Sequence, residues 1–224
     1  MRLLFVLLLA IICNISYLAE AQITDPYEII NKILDDQSRL PDYEVDVEIE
    51  VDVEFIRMPV KTARMTFKQP DNIKFKSDDF LMLPKRGLNQ SILDITSGGY
   101  DAVITGSESI DGRLNWIIKV IPLKHDEIIL STFWVDQEKF LINKAENFSR
   151  SGGVYLVNIT YYPQLNLPEE IQVTFEVKEF KIPLDLVNRT IEIDEEKLKT
   201  DEIKTGRVYL RFKDYKFSEN SGQR

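Results

Sequence analysis

Few residues in this chain have both the type and the spacing for bond-making chemistry. Its one histidine, His125, precedes Asp126, and this is the sole imidazole–carboxylate neighbour pair. Adjacent side chains on a turn point apart, so the pair does not read as a base and its orienting acid. Gly106-Ser107-Glu108-Ser109 lacks the G-x-S-x-G spacing of a nucleophile elbow. The acidic stretch Glu192 to Glu196 lacks the glycine-bearing loop of a calcium hand. A single His excludes a multi-His metal centre. The expectation is a protein that is not an enzyme, with no catalytic residue, no metal and no cofactor.

Charge removes another class of function. The 224 residues carry 28 Lys+Arg against 37 Asp+Glu, a net charge of -9, and show no basic stripe of the kind that binds a phosphate backbone. No nucleic-acid partner is expected.

The N-terminus reads as an export signal. Arg2 precedes an apolar run from Leu3 to Cys13, and Ala19-Glu20-Ala21 forms an A-x-A cleavage site. The run is shorter than the about 20 residues that a bilayer core demands. A lipoprotein signal at Cys13 would want a small residue before it, where Ile12 stands. The organisation is therefore 1–21 signal peptide and 22–224 one domain. Cleavage removes Cys13, which excludes disulfides and favours a bacterial periplasm over a stapled eukaryotic secreted module. The N-x-S/T tripeptides at Asn89, Asn147, Asn158 and Asn188 are read as chance.

Asp25, Pro26 and Glu28 supply an N-cap, a first-turn proline and an acidic first turn. Tyr27, Ile30, Ile33 and Leu34 then form one apolar stripe, predicting a helix over 26–39. Beyond Pro41 the period becomes two. Tyr43, Val45, Val47, Ile49, Val51, Val53 and Phe55 alternate with acids, predicting a strand of roughly 40 Å that suits one edge of a wide curved sheet. The next strand carries Ala63, Met65 and Phe67 on one side and Arg64 and Lys68 on the other. The acidic ladder is read as a solvated face paired with such basic strands. Further strands are predicted near 92–96, 101–110, 113–121, 127–135, 140–147, 153–162, 170–178 and 207–217, with a hairpin turn at Asp111-Gly112 and another turn at Asp136 to Lys139. Weaker helical segments are read at 86–92 and 194–200. The total is about eleven strands in meander order with one strong helix. A helix of about 14 residues is about 21 Å long and cannot cover such a sheet. Either the sheet curls into a barrel around a packed core, or a partly open barrel keeps an apolar cavity with the helix and loops as its lid. Phe80-Leu81-Met82-Leu83-Pro84 is its mobile-flap candidate, the other reading being a loop tucked into the core. The face taken by Trp134 stays open, since it is out of phase with Phe133 and Val135.

Three short runs resemble a known family. Phe67-Lys68-Gln69-Pro70-Asp71-Asn72-Ile73-Lys74-Phe75, Thr132-Phe133-Trp134-Val135-Asp136 and Leu167-Pro168-Glu169-Glu170-Ile171 are similar to the hairpin, mid-sheet strand end and late strand of the LolA/LolB-like periplasmic lipoprotein carriers. The likeness covers most of residues 24–178, and 179–206 departs from it. It implies a mainly β fold, a single curved antiparallel sheet forming an unclosed half-barrel with an N-terminal helix and short helical lid elements. It also implies a carrier that shields acyl chains of lipoproteins or lipids and takes them toward the outer membrane. Its transient partners would lie at the inner and outer membranes. Arg64 and Arg86 are the candidates for the arginine that latches the lid in such carriers. The expected cavity lining is Val47, Ile49, Val51, Val53, Phe55, Met65, Phe67, Phe75, Trp116 and Ile118, with Leu81 and Met82 at the mouth. A monomer in the periplasm, or associated with the outer membrane, is expected. The competing reading is a non-enzymatic envelope stress sensor or regulator, or a structural accessory protein, of the same fold. The charged tail Asp201–Arg224 is small for a regulator's partner-binding part.

Overall fold

The computed structural model describes residues 25–70, 72–77, 92–124, 127–150, 153–177, 192–194 and 204–218. The expected signal peptide, the flap at 80–84 with Leu81 and Met82, Arg86, His125-Asp126 and nearly all of 179–206 lie outside the described residues, as do the weaker helical segments apart from Ile92 and Asp194.

The first helix, α1 (Pro26–Ser38), starts as its sequence dictates: the Asp25 carboxylate accepts from the Tyr27 backbone N–H at 2.9 Å. Ile29, Ile30 and Ile33 are its buried face. Tyr27 stacks on Tyr100 at 5.5 Å and its hydroxyl accepts from the Ala102 N–H at 3.3 Å, tying the helix to a strand.

The strands follow in order: β1 (Tyr43–Val53), β2 (Ile56–Arg57), β3 (Lys61–Lys68) and β4 (Asn72–Lys76), then β5 (Tyr100–Ile110), β6 (Arg113–Pro122), β7 (Ile128–Asp136) and β8 (Ile142–Ser149). After them come β9 (Val154–Tyr161), β10 (Pro168–Val177), β11 (Glu192–Ile193) and β12 (Lys204–Phe217). All described pairings are antiparallel, and the sheet stays open as a curved half-barrel. The Asp111-Gly112 turn closes the β5–β6 hairpin, with both residues at positive φ, 49° and 78°. Those two dihedrals are what a tight hairpin turn requires and what Asp-Gly supplies.

Three expectations are corrected. Residues 92–96 form a short helix, α2 (Ile92–Thr96), not a strand: Ile92, Ile95 and Thr96 fall on one helical face, and the Thr96 hydroxyl donates back to the Ile92 carbonyl at 2.7 Å. A five-residue apolar run satisfies either period, and only packing chooses. β1 is not a sheet edge, since β12 pairs along one side of it and β3 and β2 along the other. The order is also not a pure meander. β5 to β10 are sequential neighbours, but β12 returns across the sheet to lie between β1 and β10.

That insertion explains the acidic ladder. Arg211 bonds Glu50 at 2.7 Å and Glu170 at 2.8 Å, Lys213 bonds Glu48 at 2.7 Å, and Arg207 meets Asp52 at 3.3 Å. From the expected partner strand β3, Arg64 holds Asp46 at 2.8 Å. The face is charge-paired as read, with most of the basic partners on β12. Opposite it, the apolar side chains of β1, β3 and β12 form one buried cluster with Leu167. A second cluster joins α1 and α2 to β6, β7, β8 and β9 through Ile30, Ile95, Ile118, Phe133 and Val157.

Candidate functional site

Between the two helices and the sheet lies a cavity of about 830 Å³. Its roof is Ile33, Gln37 and Leu40 at the end of α1 with Ile92 and Leu93 of α2, and its floor is Phe133, Ile142, Ala145, Val157 and Ile171 from four consecutive strands. Phe67, Pro70 and Ile73 of the β3–β4 hairpin close one side. Gln69, at the tip of that hairpin, donates its amide to the carbonyls of Gln37 at 2.8 Å and Leu40 at 2.7 Å, and its N–H donates to Asp42 at 3.1 Å. The hairpin that carries the family resemblance thus fastens the end of the roof helix. The Gln69–Pro70 bond is cis.

The opposite side is shaped by two turns. Asp136, fully buried, accepts through one oxygen from the N–H groups of Glu138 at 2.8 Å and Lys139 at 2.9 Å, and through the other from Arg113 at 3.3 Å. This turn holds Phe140 at φ 56° and sets its ring 5.6 Å from Trp116. Lys139 reaches the Asn166 amide oxygen of the second turn at 3.4 Å, and both residues line the cavity. Inside, the Ser131 hydroxyl donates to Asn147 at 2.7 Å, both buried, so the glycosylation tripeptide at Asn147 is inaccessible. Tyr161 donates to the Ile142 carbonyl at 2.7 Å.

Burial raises the Tyr43 hydroxyl to about 12 and pushes Tyr161 upward as well, so both stay neutral donors at physiological pH. Asp36 at the mouth is held by Lys32 at 2.6 Å. Among the described residues, no three His, Cys, Asp or Glu gather to hold a metal, and no helix is long and apolar enough to cross a membrane.

Of the expected lining residues, Phe67 lines this cavity. Val47, Ile49, Val51, Val53, Phe55 and Met65 are buried in the adjoining cluster with Phe75 packed against it, and Trp116 and Ile118 are buried in the second cluster. Arg64, exposed and bonded to Asp46, is not among the residues that line the cavity. Trp134 takes the other face: its indole N–H donates to Glu108 at 2.5 Å, and Lys144 Nζ sits 4.1 Å from the ring centroid. The floor residues on β8 had no clean sequence signal. The pairing of β7 with β8 shifts between Trp134 and Val135, so Ile142 and Ala145 share a face although they are three residues apart. On β9 the alternation of Val157, Ile159 and Tyr161 is regular, and all three line the cavity.

The chain is an open antiparallel half-barrel with an apolar cavity under a helix. No family model matches the chain, and no curated protein matches it either. Solved structures do. A LolA superfamily protein from Nitrosomonas europaea superposes with a TM-score of 0.52 at 16% identity, covering 88% of this chain and 94% of that one. An outer membrane lipoprotein-sorting protein domain, described as putative, from Vibrio parahaemolyticus gives 0.47 at 12% identity over 85% and 92%. The first of these likenesses bears out the LolA-like resemblance at the level of fold.

Proposed function

We propose that this protein is a non-enzymatic carrier that binds acyl chains of lipids or lipoproteins in the cavity beneath α1 and transfers them between membranes of the periplasm. The observation that supports it is the 830 Å³ cavity, whose floor is aliphatic and aromatic and in which Asn147 and Tyr161 already have hydrogen-bond partners. Each buried methylene contributes about 0.8 kcal/mol, so six give about 5 kcal/mol, enough for capture and weak enough for release. Phe67 and the floor of β7 to β10 would hold the chain. Val47, Ile49, Val51, Val53, Phe55, Met65, Phe75, Trp116 and Ile118 would support that wall from behind, with Leu81 and Met82 at the mouth as the sequence suggests. The carrier reading also takes residues 1–21 as a cleaved export signal, the protein as a monomer, and its partners as transient ones at the two membranes.

The test is native mass spectrometry with lipid extraction on protein purified from a periplasm without detergent. Co-purifying acylated species are expected, and Ala145→Phe, which fills the floor, should remove them while the protein stays folded by circular dichroism. A ligand-free mass that also ignores added acyl-peptide and fatty acid would overturn the carrier reading in favour of a regulator or accessory protein.

A further inference from the structure

One polar side chain inside the apolar cavity is only half used. Asn147 lies on the cavity side of β8, two positions after Ala145, and is 1% exposed. Its amide oxygen accepts from Ser131 at 2.7 Å, and among the described residues the side chain has no second hydrogen-bond partner. Turning the amide over would pair its nitrogen with Ser131 and leave the oxygen over instead. Either way one buried polar end meets an apolar cavity, which is costly until a partner reaches it. Asn115, buried as completely, shows the contrast: its amino group donates to the Arg113 carbonyl at 2.9 Å and its oxygen accepts from Asn143 at 2.9 Å.

Strand register fixes where Asn147 sits along the cavity. Ala102, Val120, Ser131 and Asn147 form one row across β5 to β8, and Tyr27 at the start of α1 is bonded to Ala102. Charge in the described lining belongs to Asp36, Arg39 and Lys139, which lie toward the other end. Asp36 and Arg39 stand where Gln69 fastens the end of α1, and Lys139 reaches the turn between Tyr162 and Leu167. The rings of Tyr43, Tyr215 and Tyr162 run in contact between those two places. Asn147 pairs with Tyr155 of β9, six residues before Tyr161 at the charged end, a span of about 20 Å.

We propose that Asn147 recognises an uncharged hydroxyl at the inserted end of a long acyl chain whose head group stays at the charged end of the cavity. The inference rests on the carrier reading of this cavity and names its ligand class, an acyl chain oxygenated far from its head group. A hydroxyl both donates and accepts, so it satisfies whichever end of the Asn147 amide is spare. A carboxylate does not fit here, since none of the lining cations stands at this end and an unpaired buried charge costs far more than a bonded hydroxyl. An extended hexadecanoyl chain matches the span from the charged end to Asn147, which brings its ω carbon to the amide.

The experiment is native mass spectrometry of the purified full chain with an equimolar mixture of hexadecanoate and ω-hydroxyhexadecanoate, which differ by one oxygen. The hydroxylated chain should be retained about tenfold over the plain one, the size of one buried hydrogen bond. Asn147→Leu combined with Ser131→Ala removes both polar partners and should erase that preference while hexadecanoate still binds. Asn147→Ala reads the same contact if the double variant fails to fold. Equal retention of the two chains by the native protein would overturn the hydroxyl site and leave the acyl cavity standing. A preference that survives the loss of Asn147 would place the hydroxyl elsewhere and also overturn it. Retention of neither chain would overturn the carrier reading, and this inference with it.

Discussion

Tyr43 shows how one side chain links packing to pH. It lines the cavity, stacks on Phe67 at 4.9 Å and meets the edge of Tyr215 at 5.2 Å. Burial raises its hydroxyl from 10.0 to about 12, because the phenolate would lose its hydration there. Below pH 10 both folded and unfolded chains keep the proton. Between 10 and about 12 the unfolded chain loses it first, so stability falls as pH rises and the decline is complete near 12. The expected loss is about 2–3 kcal/mol from this residue, at 1.36 kcal/mol per unit. Burial shifts Tyr161 and Tyr215 in the same direction. Urea unfolding across that window checks it, with Tyr43→Phe expected to flatten part of the decline. An unchanged midpoint through pH 12 would mean that Tyr43 is wetter than its packing implies. Asp136 makes a related point about legibility. Its turn was readable from Asp136 to Lys139, but its full burial and its hold on Arg113 came from the way β6 and β8 flank it.

At the scale of elements, β12 joins the two halves of the sheet. Leu210, 1% exposed, faces Ile49 of β1 and Ile171 of β10, while its neighbour Arg211 faces solvent between Glu50 and Glu170. Gly206 allows a close approach at the other end of this strand: a Cβ there would fall 2.8 Å from the Phe175 ring and 3.0 Å from Val53. Leu210→Ala should cost about 2–5 kcal/mol through the cavity it leaves. Arg211→Ala should cost no more than about 1 kcal/mol, since its ion pairs are solvent-screened. Chemical denaturation of the two variants reads the comparison directly. Equal losses would mean that the charge ladder, more than the apolar face, holds β12 in place.

For the whole molecule the open sheet has a thermodynamic consequence. A cavity of this size leaves apolar surface that a ligand can cover, so binding and stability are linked. Dodecanoate at 100 times its dissociation constant should stabilise the protein by about 2.7 kcal/mol, read as a rise in Tm. Ala145→Phe should already be close to the occupied state and show no further rise. A native protein whose Tm ignores ligand, beside a variant that behaves identically, would mean that the cavity stays empty in solution.

How much of this was legible depends on the range of the interaction concerned. The helix at Pro26–Ser38, the eleven residues of β1 and the Asp111-Gly112 hairpin were set by local rules: an N-cap, an alternation, a turn that wants two positive φ angles. The scarcity of His and Cys and the excess of acids are properties of composition alone, and they bounded the chemistry before any fold was known. Tertiary structure decided the rest. The helical state of Ile92–Thr96, the return of β12 beside β1 and the register shift that turns Ala145 toward the cavity all depend on partners far away in sequence. Alternation marks which side chains share a face of a strand. Which face stays open to a ligand is decided by what else packs there, and so the clear ladder of β1 became buried wall while the less regular β8 became cavity floor.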